Sequence, residues 1–519
     1  MKRLVTLLMA AAMIFSLAAC GGNNEGNGVV SDLDFEVGDT GGLKVPFGNG
    51  EEIVMYAQDD VGDTSNTYIF DKLSQITGLN IKPILVPVSM AAEKVQVLLA
   101  GSDVPDVMNA GTLIQLNDYA MQGAWEPIND HLDEMPNFSR IFVDNKENDW
   151  IFKSFAAADK KLYAFPLIDS DRDVNHGMLY RKDIFDKHGI KMWNSPETFY
   201  QALKKLKEIY PNSYPLTSKT GKELITNYAV AWGGIKSYNV YYDESAKAWK
   251  YSDTDPKTKE ILDYFKKLYD EKLLDPEFLT NTQPAWTQKV TTGTSFVTYD
   301  WIGRLDMFMS QNQVPGYDLR YANPVGPKQT ILTLDKISPN GLVAVSKNKN
   351  SNLTMKLMDF LYSEAGAELM TCGVRGETFE IDENGMAKYL EFEEGKKVDI
   401  MDLRSKYCMW MTGTYRRVDK RSCYFQYTER EKEAQEWPAK CGGFEPSDPY
   451  VTFADEDDVS KVTDLTTKLS KKFEEVMFKY IIGQESGDVA WNKWLNEAKK
   501  LGADELVKLY NDRHKELGL

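Results

Sequence analysis

Short apolar runs alternate with amphipathic segments near the start of the chain, from about residue 53 to residue 108. A short apolar run between turn signals is typical of a buried strand, and apolar residues spaced three and four apart are typical of a helix. The pattern predicts strands at 53–57, 81–86 and 104–108, and helices that begin near Ser65 and Ser89 and end at Gly78 and Gly101. This alternation indicates an α/β fold with a doubly wound sheet.

The loops after these three strands are predicted to lie together, because the carboxyl ends of parallel strands meet at one edge of a sheet, where ligands bind. The loops comprise residues 58–64, 87–90 and 109–112. Asp59 and Asn109 are polar residues that stand directly after the first and third strands. We therefore expect both at a ligand site.

The pattern changes near residues 162–166, after which a polar connection leads to a new strand at 177–180. We interpret this connection as a crossing from one structural unit to another. Asn175 and His176 lie in it, and their side chains could reach a ligand held between the units. Both are therefore candidate ligand-binding residues.

The remainder of the chain contains clear helix signals. Ser195 and Asp255 each precede a proline, which is the usual arrangement of an N-cap followed by the first helical residue. A strand is predicted at 295–299. From residue 353 onward the pattern is mainly helical, interrupted by one irregular insertion from about residue 377 to residue 449.

The N-terminus has the pattern of an export signal. Two basic residues, an apolar run from Leu4 to Phe15, and small residues before Cys20 form such a signal. The apolar stretch is shorter than the ~20 residues that span a bilayer. Leu17-Ala18-Ala19-Cys20 resembles a bacterial lipobox, in which Cys20 is lipidated and the chain is cut before it; the alternative is a chance cysteine beside an ordinary signal.

These features predict a signal peptide at residues 1–19 and a flexible polar tether at 20–49. The globular part would then lie at the extracellular face of the cell membrane, anchored by acyl chains such as palmitate on Cys20. No later segment of the sequence is long and apolar enough to cross a bilayer.

Length and charge narrow the class of partner. At roughly 150 residues per domain, 519 residues give two to four structural units. Lys and Arg number 61 against 78 Asp and Glu, a net charge of −17, and removal of Lys2 and Arg3 with the signal leaves 59 − 78 = −19. Phosphate contacts need clustered positive charge, so nucleic acid is excluded as a partner.

Signatures of catalysis are missing from the sequence. Its 4 histidines are isolated, and no nucleophile elbow or phosphate-binding loop follows a strand. We therefore expect no enzyme activity, no cofactor and no metal site. A glycoside hydrolase needs only two suitably separated carboxylates and stays an alternative. The loop at 169–173 begins like a calcium loop, but Val174 and Tyr180 stand where glycine and glutamate are needed, which favours a solvated hinge loop.

The cysteines after Cys20 show no Cys-x-x-Cys spacing, so a zinc site is not indicated. They are Cys372, Cys408, Cys423 and Cys441. Export permits disulfides, and the sequence leaves two alternatives open: one disulfide among the last three, or buried free thiols.

Tryptophans near predicted element ends are candidates for stacking on the C–H face of a sugar, while neighbouring carboxylates bind its hydroxyl groups. Asp300 and Trp301 end the strand at 295–299 and combine both features. Trp232 and Trp410 also lie near element ends, whereas Trp491 and Trp494, three apart within a helix, are predicted to be core. For each single tryptophan, packing in the hydrophobic core remains the alternative.

Several segments together resemble family 1 of the extracellular solute-binding proteins of bacterial ABC importers, and within it the long, lipid-anchored Firmicutes members. The segments are Val97–Val107, Leu162–Pro166, Tyr180–Ile190, Pro196–Phe199, Asp359–Gly366, Gly373–Phe379 and Phe478–Leu517. The likeness extends from about Glu51 to Leu519. The insertion at 377–449 departs from the usual pattern. The short segment at 208–216 stands where many relatives carry a calcium-loop-like insertion, so calcium is not implied.

The resemblance implies two doubly wound α/β lobes joined by a hinge, the type II periplasmic-binding-protein-like arrangement, with a helical C-terminal part and the ligand in the cleft. We assign residues 50–172 and 290–335 to the first lobe, and 173–289 and 336–519 to the second. The implied function is capture of an oligosaccharide by a monomer and its delivery to the permease subunits of an ABC transporter. A peptide or other polar solute as ligand, and a surface-anchored glycan-degrading enzyme, remain the alternatives.

Overall fold

The computed structural model describes residues 33–519 except 60–66, 88–89, 102–103, 110, 169–171, 220–227, 237–238, 312–313, 394–395 and 454. The signal peptide, Cys20 and the first part of the tether lie outside the described residues.

The described strands are β1 Glu52–Asp59, β2 Asn80–Pro87, β3 Val107–Met108, β4 Phe165–Ile168, β5 His176–Arg181, β6 Val240–Asp243, β7 Ala248–Tyr251, β8 Val297–Trp301, β9 Leu319–Ala322, β10 Ile331–Leu332, β11 Ile337–Val345, β12 Phe379–Ile381, β13 Ala387–Tyr389 and β14 Phe444–Glu445.

The described helices are α1 Tyr68–Thr77, α2 Ala91–Ala100, α3 Leu113–Met121, α4 Pro136–Phe138, α5 Trp150–Ser154, α6 Lys182–Lys187, α7 Pro196–Ile209, α8 Pro256–Asp270, α9 Gln283–Thr292, α10 Arg304–Gln311, α11 Ser351–Tyr362, α12 Glu364–Thr371, α13 Ile400–Tyr407, α14 Glu429–Glu436, α15 Glu456–Ile481, α16 Gly487–Leu501 and α17 Ala503–Leu517. Residues 228–233 are also helical. Short 3₁₀ or π turns occupy Ile128–Glu134, Ser139–Val143, Lys146–Asn148, Ser252–Thr254, Cys423–Phe425 and Trp437–Lys440.

The first lobe is built on a five-stranded sheet in the order β2-β1-β3-β11-β4. β1 is parallel to β2 and to β3, as the alternating pattern predicts, whereas β11 is antiparallel to β3 and to β4. Apolar residues of this sheet and of α1 and α11, such as Met55, Phe70 and Leu357, form one buried core.

The second lobe repeats this strand order. Its central strands lie in the order β8-β5-β9, with β5 antiparallel to both neighbours. Leu216 forms parallel bridges to Val297 of β8 and to Leu274, which extends the sheet on the other side of β8. In each lobe, one strand follows directly on a crossing from the other lobe: β11 in the first and β5 in the second. This strand is therefore inserted between two neighbours, β3 and β4 or β8 and β9, and is antiparallel to both.

Side chains of the second sheet alternate between two cores, because successive residues of a strand point to opposite faces. Met178 and Tyr180 of β5 pack with α7, α8 and the C-terminal helices, whereas Leu179 packs with α9 and α10. The C-terminal helices α15, α16 and α17 contribute Trp491 and Trp494 to this lobe, and both tryptophans are core residues, as predicted.

Two of the predicted lobe boundaries are wrong. Residues 290–335 contain β8 and β9, which hydrogen-bond to β5 and so belong to the second sheet. β11 begins at Ile337 and pairs with β3 and β4 of the first sheet, and α11, α12 and α13 pack on the first core. The apolar character of these strands resembles that of any buried strand, and only long-range pairing decides to which sheet they belong.

Part of the insertion at 377–449 covers the carboxyl edge of the first sheet. Gln58 of β1 bridges Thr412, and Ile168 of β4 bridges Arg417, so residues 412–417 cross the sheet from one strand to the other. Arg416 is buried there and donates to the carbonyl oxygens of Phe165 (2.9 Å) and Gly341 (3.0 Å). The cysteines at 372, 408, 423 and 441 are free thiols, which agrees with the second alternative except that Cys441 is only partly buried.

Candidate functional site

A cavity of about 300 Å³ lies where the first crossing segment meets the second sheet. It is lined by Asp173, Val174, Asn175, His176, Lys219, Tyr299, Asp300, Ile331, Leu332 and Leu334. The first four belong to the connection into β5, the next three to the edge of the second sheet, and the last three to the return connection into β11. The cavity therefore touches two of the segments that join the lobes.

Strand pairing places the residues of the second sheet at this cavity. β5 begins at His176, which lies opposite Trp301, and Gly177 lies opposite Asp300 at the end of β8. The ring of Tyr321 packs directly over Gly177, where a Cβ atom would lie 2.1 Å from the ring. The hydroxyl group of Tyr321 donates to the carbonyl oxygen of His176 (3.2 Å), so the start of β5 is fixed.

Asp300 is held as an oriented carboxylate. Its side chain is 3% exposed and lies 3.1 Å from Lys219 Nζ and 3.2 Å from Arg304 Nε. The backbone N–H of Trp301 also donates to Oδ1 (2.7 Å). Two cationic groups and one amide hydrogen fix the direction of this side chain, and a carboxylate accepts hydrogen bonds from hydroxyl groups.

An aromatic pair and an amide complete the lining. The rings of His176 and Tyr299 are nearly parallel, with centroids 6.3 Å apart and an interplanar angle of 9°. The side-chain oxygen Oδ1 of Asn175 is buried and accepts no hydrogen bond from the described residues. Such an acceptor costs about 1–3 kcal/mol when left unmatched, a cost that a hydroxyl donor in the cavity would relieve once the amide turns toward it.

Two further cavities adjoin this one. A cavity of about 80 Å³ shares His176 and Tyr299 with it, and a larger one of about 510 Å³ shares Leu334. The larger cavity is lined by Trp150, Tyr450 and the carboxylates of Asp335 and Asp448, among others. Burial raises the pKa of Asp335 above its usual range, against a weaker opposing hydrogen bond from Ser447.

The structure brings three of the predicted site residues, Asn175, His176 and Asp300, to one cavity. Trp301 follows Asp300 but is not among the cavity-lining residues; it is 38% exposed and packs over Gly303. Asn109 is 5% exposed, and its side-chain oxygen accepts from the N–H of Gly111 (3.1 Å), which makes it a turn residue of the first lobe. Asp59 ends β1, and its side chain lies outside the described residues.

The two remaining tryptophans lie elsewhere. Trp232 packs against Tyr264, and its indole N–H donates to Glu260 (3.0 Å). Trp410 is 2% exposed and donates to the carbonyl oxygen of Thr371 (2.9 Å) in the first core. The expectation that Trp410 faces a ligand is therefore wrong, because a backbone carbonyl satisfies its N–H within the core.

Sequence reasoning missed several residues of the cavity. Tyr299 directly precedes Asp300 in the same strand. Because successive residues of a strand point to opposite faces, the selection of Asp300 gave no reason to select Tyr299. Lys219 follows the strand position at Leu216, which stands between Pro215 and Thr217 and is not part of an apolar run that would indicate a strand. The leucines at 332 and 334 lie in the return crossing, which the sequence pattern did not separate from the first lobe.

No cluster of three or more histidine, cysteine or carboxylate side chains in the described part of the chain is placed to hold a metal ion. Within the same residues, no helix is long and apolar enough to cross a membrane. Asp169 and Asp171, the first residues of the calcium-like loop, lie outside the described residues.

Comparison with known proteins gives consistent results. A sequence profile described as bacterial extracellular solute-binding protein matches residues 58–368. Lipoprotein LipO of Bacillus subtilis (strain 168) is 23% identical over 491 residues, which are 85% of this chain and 87% of that protein.

Solved structures show the same fold. Alginate-binding protein AlgQ2 without calcium ion superimposes with a TM-score of 0.69 at 19% identity, covering 90% of this chain and 98% of that one. The S. pneumoniae ABC-transporter substrate binding protein FusA, an EF-hand mutant in complex with fructo-nystose, gives 0.69 at 16% identity, covering 90% and 99%. The fold is the type II periplasmic-binding-protein-like arrangement of two α/β lobes. With the profile matching more than half of its length, this chain belongs to the bacterial extracellular solute-binding protein family.

Proposed function

We propose that this protein captures an oligosaccharide at the outer face of the cell membrane and delivers it to the permease subunits of an ABC transporter. The observation that carries the proposal is the cavity in which an oriented carboxylate, Asp300, lies beside the stacked rings of His176 and Tyr299. A sugar offers hydroxyl groups, which donate hydrogen bonds to carboxylates, and apolar C–H faces, which aromatic rings cover.

The dimensions support a ligand longer than one sugar ring. A cavity of about 300 Å³ is at the lower end of the range for small-molecule sites, and the adjoining cavity of about 510 Å³ adds a second aromatic and acidic surface. Trp150 and Tyr450 line that second cavity. An extended polar ligand would therefore contact both lobe-joining segments.

The proposed movement is closure of the lobes on the ligand. A ligand shifts the equilibrium between open and closed forms only through contacts that differ between them. The connecting segments that hold Asn175 and Leu334 change direction as the lobes rotate, so a ligand bound beside them favours one arrangement.

The relatives support a sugar ligand. The solved structures with this fold include a protein described as alginate-binding and one in complex with fructo-nystose. The family is one of binding proteins, which supports binding without catalysis. A peptide or other polar solute remains the alternative ligand, and a glycan-degrading enzyme the alternative activity.

Binding is tested on protein lacking residues 1–20, which retains both cores. The ligands to test are alginate oligosaccharides and two glycans that occur in complexes of other solved structures with this fold, kestose and Man5GlcNAc. Calorimetric titration, followed by chromatography of the ligand, separates the alternatives. We expect binding to at least one glycan without change in its length. Binding of peptides alone would contradict the sugar proposal, and product that accumulates in proportion to protein concentration would indicate an enzyme.

Anchoring is tested separately. The lipobox-like sequence before Cys20 and the match to a lipoprotein of B. subtilis support lipid attachment. We expect Cys20→Ala to move the protein from the membrane fraction to the medium, whereas Cys441→Ala, far from the signal, leaves it at the membrane. Retention of the Cys20→Ala protein would contradict the anchor.

A further inference from the structure

The helix α14, within the insertion at 377–449, is fixed to the second lobe. Ala434 is buried in the core that also contains Leu179 of β5. Arg430 pairs with Asp306 (3.2 Å), and Glu433 pairs with Arg320 of β9 (2.9 Å). The position of this helix therefore follows the second sheet.

The same helix holds the connecting segment that leads to the cavity. The side-chain oxygen of Gln435 accepts from the N–H of Val174 (2.9 Å), and its amide nitrogen donates to the carbonyl oxygen of Val174 (2.5 Å). This reciprocal pair binds the backbone at a single residue, as a β-strand partner would. Asn175 and His176 follow at once, so their direction into the cavity depends on this attachment.

A third set of contacts extends to the first lobe. Glu431 lies 3.8 Å from Arg172 of the connecting segment, and both side chains are about 95% buried (5% and 4% exposed). The other oxygen of Glu431 lies 2.6 Å from Lys397, whose neighbour Val398 is part of the first core. The Arg172 guanidinium also stacks over Tyr424 at 4.5 Å.

Stability alone does not explain the buried ion pair between Arg172 and Glu431. Taking two charges out of water costs about as much as their attraction returns, and apolar residues of similar volume often stabilise a core better. We take this pair to fix the relative position of the segments that it joins, a use of buried charges that is supported in some proteins.

We propose that α14 is a positioning element of the binding site. Gln435 and Glu431 hold residues 172–174 against the second lobe so that Asn175 and His176 face the cavity, and Glu431 couples this segment to the first lobe through Lys397. The effect on affinity rests on the proposed function, whereas the effect on the connecting segment does not.

The first test needs no ligand. Hydrogen exchange by mass spectrometry is followed in the protein lacking residues 1–20, in the peptide that spans residues 172–180. Glu431→Gln keeps an oxygen for the capping contact with Thr428 but removes the charge. We expect exchange in this peptide to rise about five-fold or more, with no change in peptides from β1. Glu429→Gln, at a residue 86% exposed and paired with Lys432, is the matched control and should change neither.

The second test separates positioning from folding. Gln435→Leu removes both hydrogen bonds to Val174 and leaves the ion pairs of Arg430 and Glu433 in place. It therefore tests the positioning role even if Glu431→Gln unfolds the helix. Unchanged exchange at 172–180 in both variants would overturn the proposal.

Affinity for kestose, or for the panel glycan that the unmodified protein binds most tightly, completes the test. We expect Glu431→Gln to weaken binding by about five- to fifty-fold, within the usual range of coupling between two parts of a protein. Faster exchange with unchanged affinity would refute the positioning role. If the unmodified protein binds no glycan, the sugar proposal fails, and the exchange result still decides whether α14 holds the connecting segment.

Discussion

The two lobes share a strand order, but the carboxyl edges of their sheets differ. In the second lobe, the carboxyl end of β8 delivers Tyr299 and Asp300 directly to the cavity. In the first lobe, the corresponding edge is crossed by residues 412–417 of the insertion, with Arg416 buried beneath. The shared topology therefore predicts which edge of each sheet is available to a ligand, whereas segments later in the chain determine whether that edge is open or covered.

The largest expected effect concerns a tryptophan of the first lobe. We expect Trp410→Ala to lower the free energy of unfolding by about 3–5 kcal/mol, because a large core side chain and the hydrogen bond to Thr371 are lost. Affinity of the folded fraction should change less than two-fold. Urea unfolding beside glycan titration measures both, and a large loss of affinity with little loss of stability would show that the first lobe does supply a ligand contact.

The lobes also differ in their dependence on pH. Burial raises the pKa of Asp359, in the first lobe, to about 6. With an unfolded value of about 3.9, the folded state binds the proton more tightly, so about 2–3 kcal/mol of stability is present below pH 4 and lost as the pH rises through 6. Urea unfolding at several pH values measures this loss, which should be absent in Asp359→Asn.

The second lobe provides the opposite sign. Burial alone would raise the pKa of Asp275, but hydrogen bonds from Lys289, Asn281 and Thr217 outweigh it and lower the pKa. Its contribution is present above the unfolded pKa and lost as the pH falls through the folded one. Hydrogen exchange resolved by lobe should show the first lobe loosening toward neutral pH and the second toward strong acid; the same trend in both lobes would contradict the contrast.

The next effect concerns the carboxylate of the second lobe. Asp300→Asn should weaken glycan binding by about ten- to a hundred-fold, because a hydrogen bond to a charged group contributes about 1.5–3 kcal/mol. The matched control is Asp186→Asn, an exposed carboxylate of the same lobe that pairs with Lys182. Calorimetric titration of both variants decides, and equal affinities would remove Asp300 from the site.

The smallest effect concerns the exposed ring beside it. Trp301 is 38% exposed, so Trp301→Ala should change the free energy of unfolding by less than about 1 kcal/mol. If the ring stacks on a sugar, the loss is about 1–2 kcal/mol, a five- to thirty-fold change in dissociation constant. A melting curve beside the titration separates the outcomes, and stability lost without affinity would assign Trp301 to packing.

Local features were predictable where the signal lies within a few residues. Ser195 accepts from the N–H of Thr198 at the start of α7, with Pro196 as the first helical residue, as the sequence predicts. Gly78 and Gly502 end their helices with positive φ, 74° and 100°. Capping and turn chemistry are determined by neighbours in the sequence, so the sequence suffices.

Other features depend on distant partners. The ends of β5 and β8 were assigned, and with them Asn175, His176 and Asp300, because a strand end is a local signal. The partners of β11 and the cover formed by residues 412–417 were not, since each is decided by pairing across more than 160 positions. Trp410 and Trp301 look alike in sequence, and only burial distinguishes them.

The insertion of β11 between β3 and β4 sets the order in which the chain can fold. Residues 52–168 supply four strands of the first sheet, but β3 and β4 are joined only through β11, which pairs with both. The sheet of the first lobe is therefore completed only after about residue 345 has been synthesised, when the central strands of the second sheet are already available. Contacts this distant in sequence slow folding, because the entropy of closing the loop is lost before the contacts form. The first sheet is therefore completed after the central strands of the second. Until then one edge of β3 and one edge of β4 are unpaired and exposed to pairing with other chains.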